Sequence, residues 1–359
     1  MENNPLYSNV FAAVRLPMAI LIVLLHNNPL LLEFEISSSI YWQQFPLYII
    51  LHHIFTNGIA RIAVPCFFFC SGFLFYNKYN ADASLFTYCK GKIFKSLQSI
   101  LLPYIIWNII FILVKFSTQL CTSHDLIASK SFIDYTVFDW IGILWNPVAG
   151  QLWFLRDIFV IGLFGFPIYY LLKNRVTGFI IIMILIFNWL FGCTFIPDFV
   201  SYFVFWSLGA YFNVHHIDFL HRCDKTKHIC LLLFALSLGI EIHLHLSNIP
   251  FAYYRQHFVV FVGVFAVLTS MGAYLQINHL QVSPKDMLSS ASFFIYSAHP
   301  LLLMPAYKLW IKVVPLNTGY LILEYFSVTL LVVLSLLFIM KEMGKYFPKI
   351  LTVLNGGRV

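Results

Sequence analysis

The strongest constraint on the fold of this chain is a pattern of long apolar runs, separated by shorter stretches that hold most of the charged residues. An early run, RLPMAILIVLLH, extends from Arg15 to His26 and has only apolar side chains between these two ends. A helix crosses the hydrocarbon core of a bilayer with about 20 apolar residues. Only 10% of the chain is Asp, Glu, Lys or Arg, whereas a soluble domain has about 25%. The sequence therefore predicts an all-α integral membrane protein.

The apolar runs predict about ten transmembrane helices in one bundle, which forms a single membrane domain over residues 1–359. The sequence shows no internal repeat, low-complexity linker or soluble domain. The predicted spans cover roughly residues 11–32, 58–76, 98–117, 152–172, 177–193, 199–214, 228–246, 256–276, 291–311 and 319–340.

Positively charged residues are distributed unequally between the two sides of this predicted bundle. They collect in the loops after the second, fourth, sixth and eighth spans and in the C-terminal tail, all on the side of the N-terminus. The loops of the other side hold Lys130, Arg255 and Lys312. Because cytoplasmic loops carry the excess of Lys and Arg, both termini are predicted to be cytoplasmic, in a multi-pass protein of the inner (plasma) membrane. The net charge of +7 is interpreted as this topology signal, and no nucleic-acid partner is expected.

Ionisable residues inside the predicted spans fall into two groups at different depths. His26, Arg61 and Arg156 lie toward the outer side, whereas Arg15 and Lys95 lie toward the cytoplasmic side. Such residues are costly in a bilayer and usually face a protein interior or a water-filled cavity. The two groups fit a reaction whose two substrates approach from opposite sides of the membrane.

Each of these residues also has a structural interpretation, which the sequence leaves open. His26 could simply bridge helices by hydrogen bonds, and Arg61 or Arg156 could extend to the membrane interface. Arg156 could instead pair with Asp157, although adjacent residues of a helix do not face each other. A functional role therefore requires that the fold bring these residues together around a cavity.

The remaining acidic, histidine and cysteine residues give weaker signals. Glu241 and Glu324 could relay protons or pair with the outer arginines. His53, His243 and His245 are interpreted as loop or interface residues. The seven cysteines form neither a CxxC pair nor the Cys/His spacing of a metal site, so they are interpreted as packing residues. No metal site is predicted.

Three segments are unusual for helices that simply face lipid. VPCFFFCSGFLF, residues 64–75, places the small Ser71 and Gly72 among aromatic residues, which allows close helix packing or leaves room for a ligand. GQLWFLRDIFV begins its predicted span with an aromatic residue and an arginine. SSASFFIYSAHPLLL places His299 directly before Pro300 in mid-span, where a proline removes a helical hydrogen bond.

Together with the first run, these segments resemble the acyltransferase 3 family of membrane-bound acyltransferases. The matches follow the family's order from residue 15 to residue 300. The residues that carry them are Arg15 with His26 eleven positions later; Phe68, Phe69, Ser71, Gly72 and Phe73; Trp153, Phe154, Leu155 and Arg156; the segment FWSLGAYF over 205–212; and Tyr296, His299 and Pro300. One departure is that Lys92 and Lys95 stand before Pro103, where the family usually has arginines.

The resemblance implies transfer of an acyl group, most often acetyl, from an acyl-CoA to a hydroxyl of a cell-envelope carbohydrate or glycolipid. His26 is implied as the catalytic residue, acting as a general base or as a transient carrier of the acyl group. Arg15 and Lys95 are expected to bind the phosphates of the acyl-CoA. Arg61 or Arg156 is expected to polarise the thioester carbonyl or stabilise an oxyanion.

The other matching residues, Ser71, Gly72, Trp153, Tyr296 and His299, are expected to contribute to substrate binding. Acyl-CoA is expected as a donor substrate, with no permanently bound cofactor. Two other classes of function stay open at this point: a transporter of an acylated sugar or lipid intermediate, and a structural subunit without chemistry. An inverted repeat of broken helices would favour the transporter.

Overall fold

The fold is given by a computed structural model that describes residues 5–28, 44–80, 82–122, 135–192, 202–247 and 252–358. The described chain contains helices and no strands, which confirms the predicted all-α class. The α-helices, numbered along the chain, are α1 (Pro5–Ala13), α2 (Arg15–His26), α3 (Pro46–His52), α4 (Ala63–Phe75), α5 (Leu85–Ser96), α6 (Leu102–Thr122), α7 (Val137–Trp145), α8 (Trp153–Leu163), α9 (Gly165–Leu172), α10 (Arg175–Phe191), α11 (Phe203–Val214), α12 (Cys223–Leu246), α13 (Ala252–Ile277), α14 (Met287–Val313), α15 (Thr318–Tyr346) and α16 (Pro348–Leu354). Shorter segments extend some of them, as π-helix at His53–Ile59 and Leu97–Leu101 and as 3-10 helix at Ala60–Ile62 and Gly150–Leu152.

The number of membrane spans differs from the prediction. Seven helical stretches within the described residues are long and apolar enough to cross a membrane, or eight if the bent pair α8 and α9 forms one span. The predicted spans 177–193 and 199–214 correspond to α10 and α11, which are shorter apolar helices. A multi-span membrane protein is thus confirmed, whereas the count of ten is not. Residues 29–32, 193 and 199–201 of the predicted spans lie outside the described residues.

The bend between α8 and α9 has a local cause in the sequence. The two helices meet at an angle of 67°. Pro167 lies in the first turn of α9, and because proline has no backbone N–H it cannot bond the carbonyl of Leu163 at the end of α8. Gly165 lies against the ring of Phe75, whose carbons would be 2.5 Å from an added Cβ. A continuous helix is therefore broken where the chain must also pass close to α4.

Two glycines allow α4 and α11 to approach each other closely. A Cβ on Gly72 would lie 1.9 Å from the carbonyl oxygen of Trp206, and a Cβ on Gly209 would lie 2.1 Å from that of Phe69. Because backbone atoms cannot move aside without separating the helices, no side chain fits at either position. Gly72 is accordingly a packing residue in this structure, which is the first of the two alternatives that its sequence context left open.

The helices differ widely in how much of their apolar surface the bundle covers. The apolar stretch of α14 is 67% buried, whereas that of α12 is only 11% buried. Helix α14 packs against α2 and α15, so these three form the centre of the part that carries the site. Helix α12 packs along α13 and turns most of its surface outward. A transmembrane helix with such an apolar outer surface is suited to face lipid.

The C-terminal segment is fixed against the bundle near the first turn of α2. The indole of Trp107 donates a hydrogen bond to the carbonyl of Leu354 (3.0 Å), and the amide of Asn355 donates to that of Ser290 (3.1 Å). Ser289, the neighbour of Ser290, lies 3.5 Å from the guanidinium of Arg15. The start of α2 and the C-terminal end of the chain therefore lie on the same side of the bundle. That this side faces the cytoplasm stays a prediction.

Candidate active site

A first cavity of about 310 Å³ lies beside the first turn of α2. Three cationic side chains line it, those of Arg15, Lys92 and Arg358, and no described aspartate or glutamate does. We call this space the Arg15 cavity. Burial, with a smaller contribution from the positive charge of Arg15, lowers the pKa of Arg358 to about 10. A shift in this direction is expected when a cation is removed from water without a compensating carboxylate.

Neutral backbone groups, not carboxylates, hold two of these cations. The guanidinium of Arg358 donates to the carbonyl oxygen of Ser99 at 2.8 Å and lies over the ring of Phe293 at 4.2 Å. The ammonium of Lys92 donates to the carbonyl oxygen of Leu74 at 3.3 Å. These contacts orient the cations without neutralising them. The Arg15 cavity is therefore suited to bind an anionic group such as a phosphate.

The Arg15 cavity contains some of the predicted binding residues and also two that were not predicted. Ser71 and Tyr296 line it, as does Arg15. Lys95 does not, because it lies on the exposed face of α5, and Lys92 one turn earlier takes the position on the wall. The sequence showed both lysines but not which face of α5 would point inward. For Arg358, a tail residue far along the chain, no local pattern indicated the position.

Two histidines, His26 at the end of α2 and His299 on α14, lie side by side with ring centroids 5.0 Å apart. His26 Nδ1 is 2.8 Å from the carbonyl oxygen of Ile22, and His299 Nδ1 is 2.8 Å from that of Tyr296. Because a carbonyl oxygen only accepts, both Nδ1 atoms must carry the proton, which leaves a lone pair on each Nε2. The His26 side chain is exposed, whereas His299 is fully buried, so His26 offers its Nε2 to a ligand.

The proline after His299 explains the hydrogen bond that this histidine makes. In a regular helix the N–H of residue 300 would bond the carbonyl of Tyr296, but Pro300 has no N–H. The carbonyl of Tyr296 is thereby left to accept from His299 Nδ1 at 2.8 Å. The sequence predicted a loosened helical turn at this point. The structure adds that two carbonyl oxygens of this turn, those of Tyr296 (2.8 Å) and Ile295 (3.2 Å), hold the proton of His299 on Nδ1.

A second cavity of about 500 Å³, which we call the Arg61 cavity, is lined by His52, Asn57, Arg61, Trp153 and Tyr202. The Nε of Arg61 donates to the side-chain oxygen of Asn57 at 3.1 Å. Trp153 and Tyr202 stack with centroids 5.6 Å apart and an angle of 25° between the rings. A wall with both hydrogen-bonding groups and flat aromatic faces is suited to a polar ligand that also has apolar faces. The predicted binding residues Arg61 and Trp153 are thus brought together here.

The two cavities are separated by a layer of aromatic rings. Trp153 lines the Arg61 cavity, whereas Phe154 and Tyr296 line the Arg15 cavity. Phe68 contacts both Trp153 (6.3 Å) and Phe154 (5.1 Å), and Phe154 contacts Tyr296 (5.5 Å), all measured between ring centroids. The aromatic segments that the sequence showed as unusual therefore form the partition between the two spaces.

Helix α2 runs from one cavity to the other. Arg15, in its first turn, lines the Arg15 cavity, and Leu25 and Asn28, which flank His26 closely, line the Arg61 cavity. The eleven-residue separation of Arg15 and His26 corresponds to about 16 Å along a helix. His26 and His299 therefore lie at a depth between the cationic Arg15 cavity and the polar, aromatic Arg61 cavity.

Arg156 lines neither cavity. Its Nε and Nη2 are both 2.7 Å from the same carboxylate oxygen of Asp157, and its guanidinium lies over the ring of Trp145 at 4.8 Å. The ion pair forms although the two residues are adjacent, because the long arginine side chain folds back toward its neighbour. The catalytic role predicted for Arg156 thus stays a prediction, and the structural alternative is the one that the contacts favour.

Comparisons with known proteins agree with the resemblance read from the sequence. The sequence profile of the acyltransferase 3 family, described as an acyltransferase domain, matches residues 13–340. The chain is also similar to the succinoglycan biosynthesis protein ExoH of Rhizobium meliloti (strain 1021), with 23% identity over 311 residues that make up 84% of this chain and 80% of that protein. No solved structure matches the chain. The chain therefore belongs to the acyltransferase 3 family and is a membrane-bound acyltransferase that transfers groups other than aminoacyl groups.

Proposed function

We propose that this enzyme moves an acyl group, most often acetyl, from acyl-CoA to a hydroxyl of a cell-envelope carbohydrate or glycolipid, in the inner (plasma) membrane. The observation that carries the proposal is the arrangement of α2, with Arg15 in a cationic cavity at one end and the exposed Nε2 of His26 at the other. Similarity to a protein of succinoglycan biosynthesis supports a polysaccharide acceptor. Membership of an acyltransferase family favours this reaction over transport or a purely structural role.

The Arg15 cavity is the proposed binding site of the acyl-CoA donor. Arg15, Lys92 and Arg358 would bind the phosphates of the coenzyme, because their charges are held by neutral groups and are free to pair with anions. With the N-terminus in the cytoplasm, as the positive loops predict, this cavity opens toward the cytoplasm, where acyl-CoA is available. Lys92 takes the role that the sequence interpretation gave to Lys95.

The Arg61 cavity is the proposed binding site of the acceptor. Its polar side chains offer hydrogen bonds to hydroxyl groups, and the stacked Trp153 and Tyr202 offer a flat surface to a sugar ring. Arg61 would stabilise the negative charge that develops on the carbonyl oxygen during transfer. The aromatic layer between the cavities would keep the two substrates apart.

His26 can serve the transfer in two ways, and both use Nε2. As a general base, Nε2 takes the proton of the acceptor hydroxyl while the hydroxyl oxygen attacks the thioester carbon. The C–S bond breaks, CoA leaves as a thiolate, and the proton passes from Nε2 to that sulfur. As an acyl carrier, Nε2 itself attacks the thioester carbon, the C–S bond breaks and CoA leaves as a thiolate. The acceptor hydroxyl then attacks the acyl-imidazolium, the bond between the acyl carbon and Nε2 breaks, and the hydroxyl proton passes to the thiolate.

The test is the turnover of labelled acetyl-CoA by purified enzyme in lipid nanodiscs, with the envelope polysaccharide as acceptor. His26→Ala is expected to lower the rate by about 100-fold to 10,000-fold, the range for loss of a general acid or base. His243→Ala changes an exposed histidine of α12 that is separate from the His26–His299 pair, so this variant is the matched control and should retain the wild-type rate. Wild-type turnover by His26→Ala, at equal protein level, contradicts the proposed role.

Two further measurements separate the mechanisms and identify the acceptor. Rapid quenching followed by peptide mass spectrometry detects an acyl group on His26 if this residue carries it. Its absence during steady turnover selects the general-base route. Mass spectrometry of envelope glycans from cells with and without the enzyme should show the loss of an acyl group, and unchanged glycans contradict the proposed acceptor class.

A further inference from the structure

A cluster of three potential metal ligands lies apart from both cavities. His53 belongs to the π-helical segment after α3, and Glu241 and His245 lie one turn apart near the C-terminal end of α12. Their ligand atoms all lie within 4.8 Å of one another. None of the three lines the Arg15 cavity or the Arg61 cavity. The acyl-transfer reaction proposed above does not use this cluster.

The three side chains lie together although they come from two separate segments. His53 Nε2 is 2.9 Å and 3.0 Å from the two carboxylate oxygens of Glu241. The ring of His245 stacks on that of His53, with centroids 3.7 Å apart and 11° between the planes. Glu241 is only 3% exposed, so its charge needs a strong partner. From the sequence alone, Glu241 is expected to relay protons or pair with an outer arginine, and both histidines are interpreted as loop or interface residues.

We propose that His53, Glu241 and His245 form a binding site for one divalent transition-metal ion of the Zn²⁺ class. Two imidazole nitrogens and one carboxylate oxygen are a donor set that zinc uses in proteins, with its fourth position left to water. The described ligand atoms include no thiolate and a single carboxylate, which disfavours copper(I), calcium and magnesium. The partial exposure of His245 provides a route for the ion, while the buried Glu241 anchors the site.

A chain of hydrogen bonds leads from the site to the Arg61 cavity. The amide nitrogen of Asn57 donates to His53 Nδ1 at 3.1 Å, and the amide oxygen of the same residue accepts from Arg61 Nε at 3.1 Å. In this arrangement His53 carries its proton on Nε2 and donates it to Glu241. A histidine that binds a metal commonly donates its other ring N–H to an outer partner, whereas His53 Nδ1 here accepts from Asn57.

Metal binding rearranges the hydrogen bonds that join His53, Asn57 and Arg61. When His53 Nε2 binds the ion, the imidazole proton moves to Nδ1, so the ring neither gains nor loses a proton. The side chain of Asn57 must then turn its oxygen toward Nδ1, and Arg61 Nε loses its hydrogen bond to that oxygen. The ion thereby joins α12, the least buried of the long apolar helices described here, to the segment that positions Arg61.

The experiment uses full-length enzyme purified in detergent with an affinity tag that contains no histidine. After treatment with a chelator, equilibrium dialysis against Zn²⁺ should give about one ion per chain, and Co²⁺ should give visible absorption bands of an imidazole–carboxylate site. His245→Ala should weaken binding by about 100-fold or more, since even outer-layer changes cost about 10-fold to 100-fold. His243→Ala, two residues away and exposed, is the matched control and should bind like wild type.

Glu241→Gln keeps the shape of the side chain, so that a loss of Zn²⁺ binding in this variant is not explained by misfolding. Zn²⁺ should raise the thermal unfolding midpoint of the wild type and of His243→Ala but not that of Glu241→Gln. The site is overturned if wild-type enzyme takes up no stoichiometric Zn²⁺, or if His245→Ala or Glu241→Gln responds to Zn²⁺ as wild type does. The first of these results would identify the cluster as a histidine–carboxylate hydrogen bond only.

Discussion

The Arg15 cavity and the Arg61 cavity both contain arginine, but the two arginines have different electrostatic surroundings. In the Arg15 cavity, Arg15 lies with Lys92 and Arg358, and no described carboxylate lines the space. In the Arg61 cavity, Arg61 donates a hydrogen bond to Asn57. Asn57 donates in turn to His53, and His53 donates to the carboxylate of Glu241. One cavity therefore has cations held only by neutral groups, and the other has a cation at the end of a chain that terminates in a carboxylate.

This difference indicates which kind of ligand each space binds. Cations that repel one another and lack a carboxylate gain most from a multiply charged anion, because the ligand removes their mutual repulsion. A cation linked to a carboxylate through hydrogen bonds gains less from an anion and can instead donate to a neutral oxygen. The comparison thus supports a coenzyme phosphate in the Arg15 cavity and sugar hydroxyls in the Arg61 cavity. Substitutions in one cavity should therefore affect binding of one substrate and not of the other.

Among the substitutions that test this difference between the cavities, Arg15→Gln has the largest expected effect, on binding of the donor. A charge-assisted hydrogen bond is worth about 1.5–3 kcal/mol, so KM for acyl-CoA should rise by about 10-fold to 100-fold. KM for the acceptor should not change, because Arg15 does not line the Arg61 cavity. Steady-state kinetics with each substrate varied in turn measures both constants. Equal increases in the two values would contradict a division of the substrates between the cavities.

Arg61→Gln should give the converse result with a smaller effect. Because Arg61 is exposed to the cavity and already shares a hydrogen bond with Asn57, its loss should raise KM for the acceptor or lower kcat by about 10-fold. KM for acyl-CoA and binding of free CoA should stay at wild-type values. Calorimetric titration of the variant with CoA provides the check, and weakened CoA binding there would oppose the assignment.

The two neighbouring lysines of α5 provide a matched pair with a still smaller effect. Lys92→Gln should raise KM for acyl-CoA by about fivefold, the equivalent of about 1 kcal/mol. Lys95→Gln should leave it unchanged, because Lys95 lies on the exposed face of the same helix and lines neither cavity. Both substitutions remove one positive charge, so a general charge effect would shift the two variants equally. A larger effect of Lys95→Gln would show that the donor binds elsewhere.

The helical class and the main site elements could be predicted because they depend on local patterns. The long apolar runs indicate transmembrane helices, and the eleven-residue spacing of Arg15 and His26 places them at different depths of one helix. The short helices α10 and α11 also lie in apolar runs, and hydropathy alone does not show where such helices end. This is why the sequence suggested more spans than the described helices support.

The parts that could not be predicted depend on contacts between distant segments. Lys92 and Lys95 differ only in the face of α5 that they occupy, and that face is set by what α5 packs against. Arg358 reaches the Arg15 cavity because Asn355 bonds Ser290 on α14, a contact that no local pattern indicates. Gly72 is a packing residue because α11 approaches it, which its aromatic neighbours alone did not determine.

The smallest expected effect is that of Pro300→Ala, which restores a backbone N–H in α14 next to His299. That N–H would compete with His299 Nδ1 for the carbonyl of Tyr296, so His299 would more often carry its proton on Nε2, the nitrogen it now leaves unprotonated. We expect kcat to fall by about twofold to fivefold, equivalent to roughly 0.4–1 kcal/mol, with both KM values unchanged.

Stability should change in the opposite direction to the rate. A proline in the interior of a helix costs up to about 3 kcal/mol relative to alanine, so the thermal unfolding midpoint of Pro300→Ala should rise. Pro305→Ala, in the same helix and one turn further on, is the control for stabilisation without a histidine nearby. If both variants are stabilised and only Pro300→Ala turns over more slowly, the helical turn at Pro300 affects the rate through His299. If turnover falls equally in the two variants, the cause is a changed shape of α14, because Pro305 does not affect the hydrogen bond to the Tyr296 carbonyl.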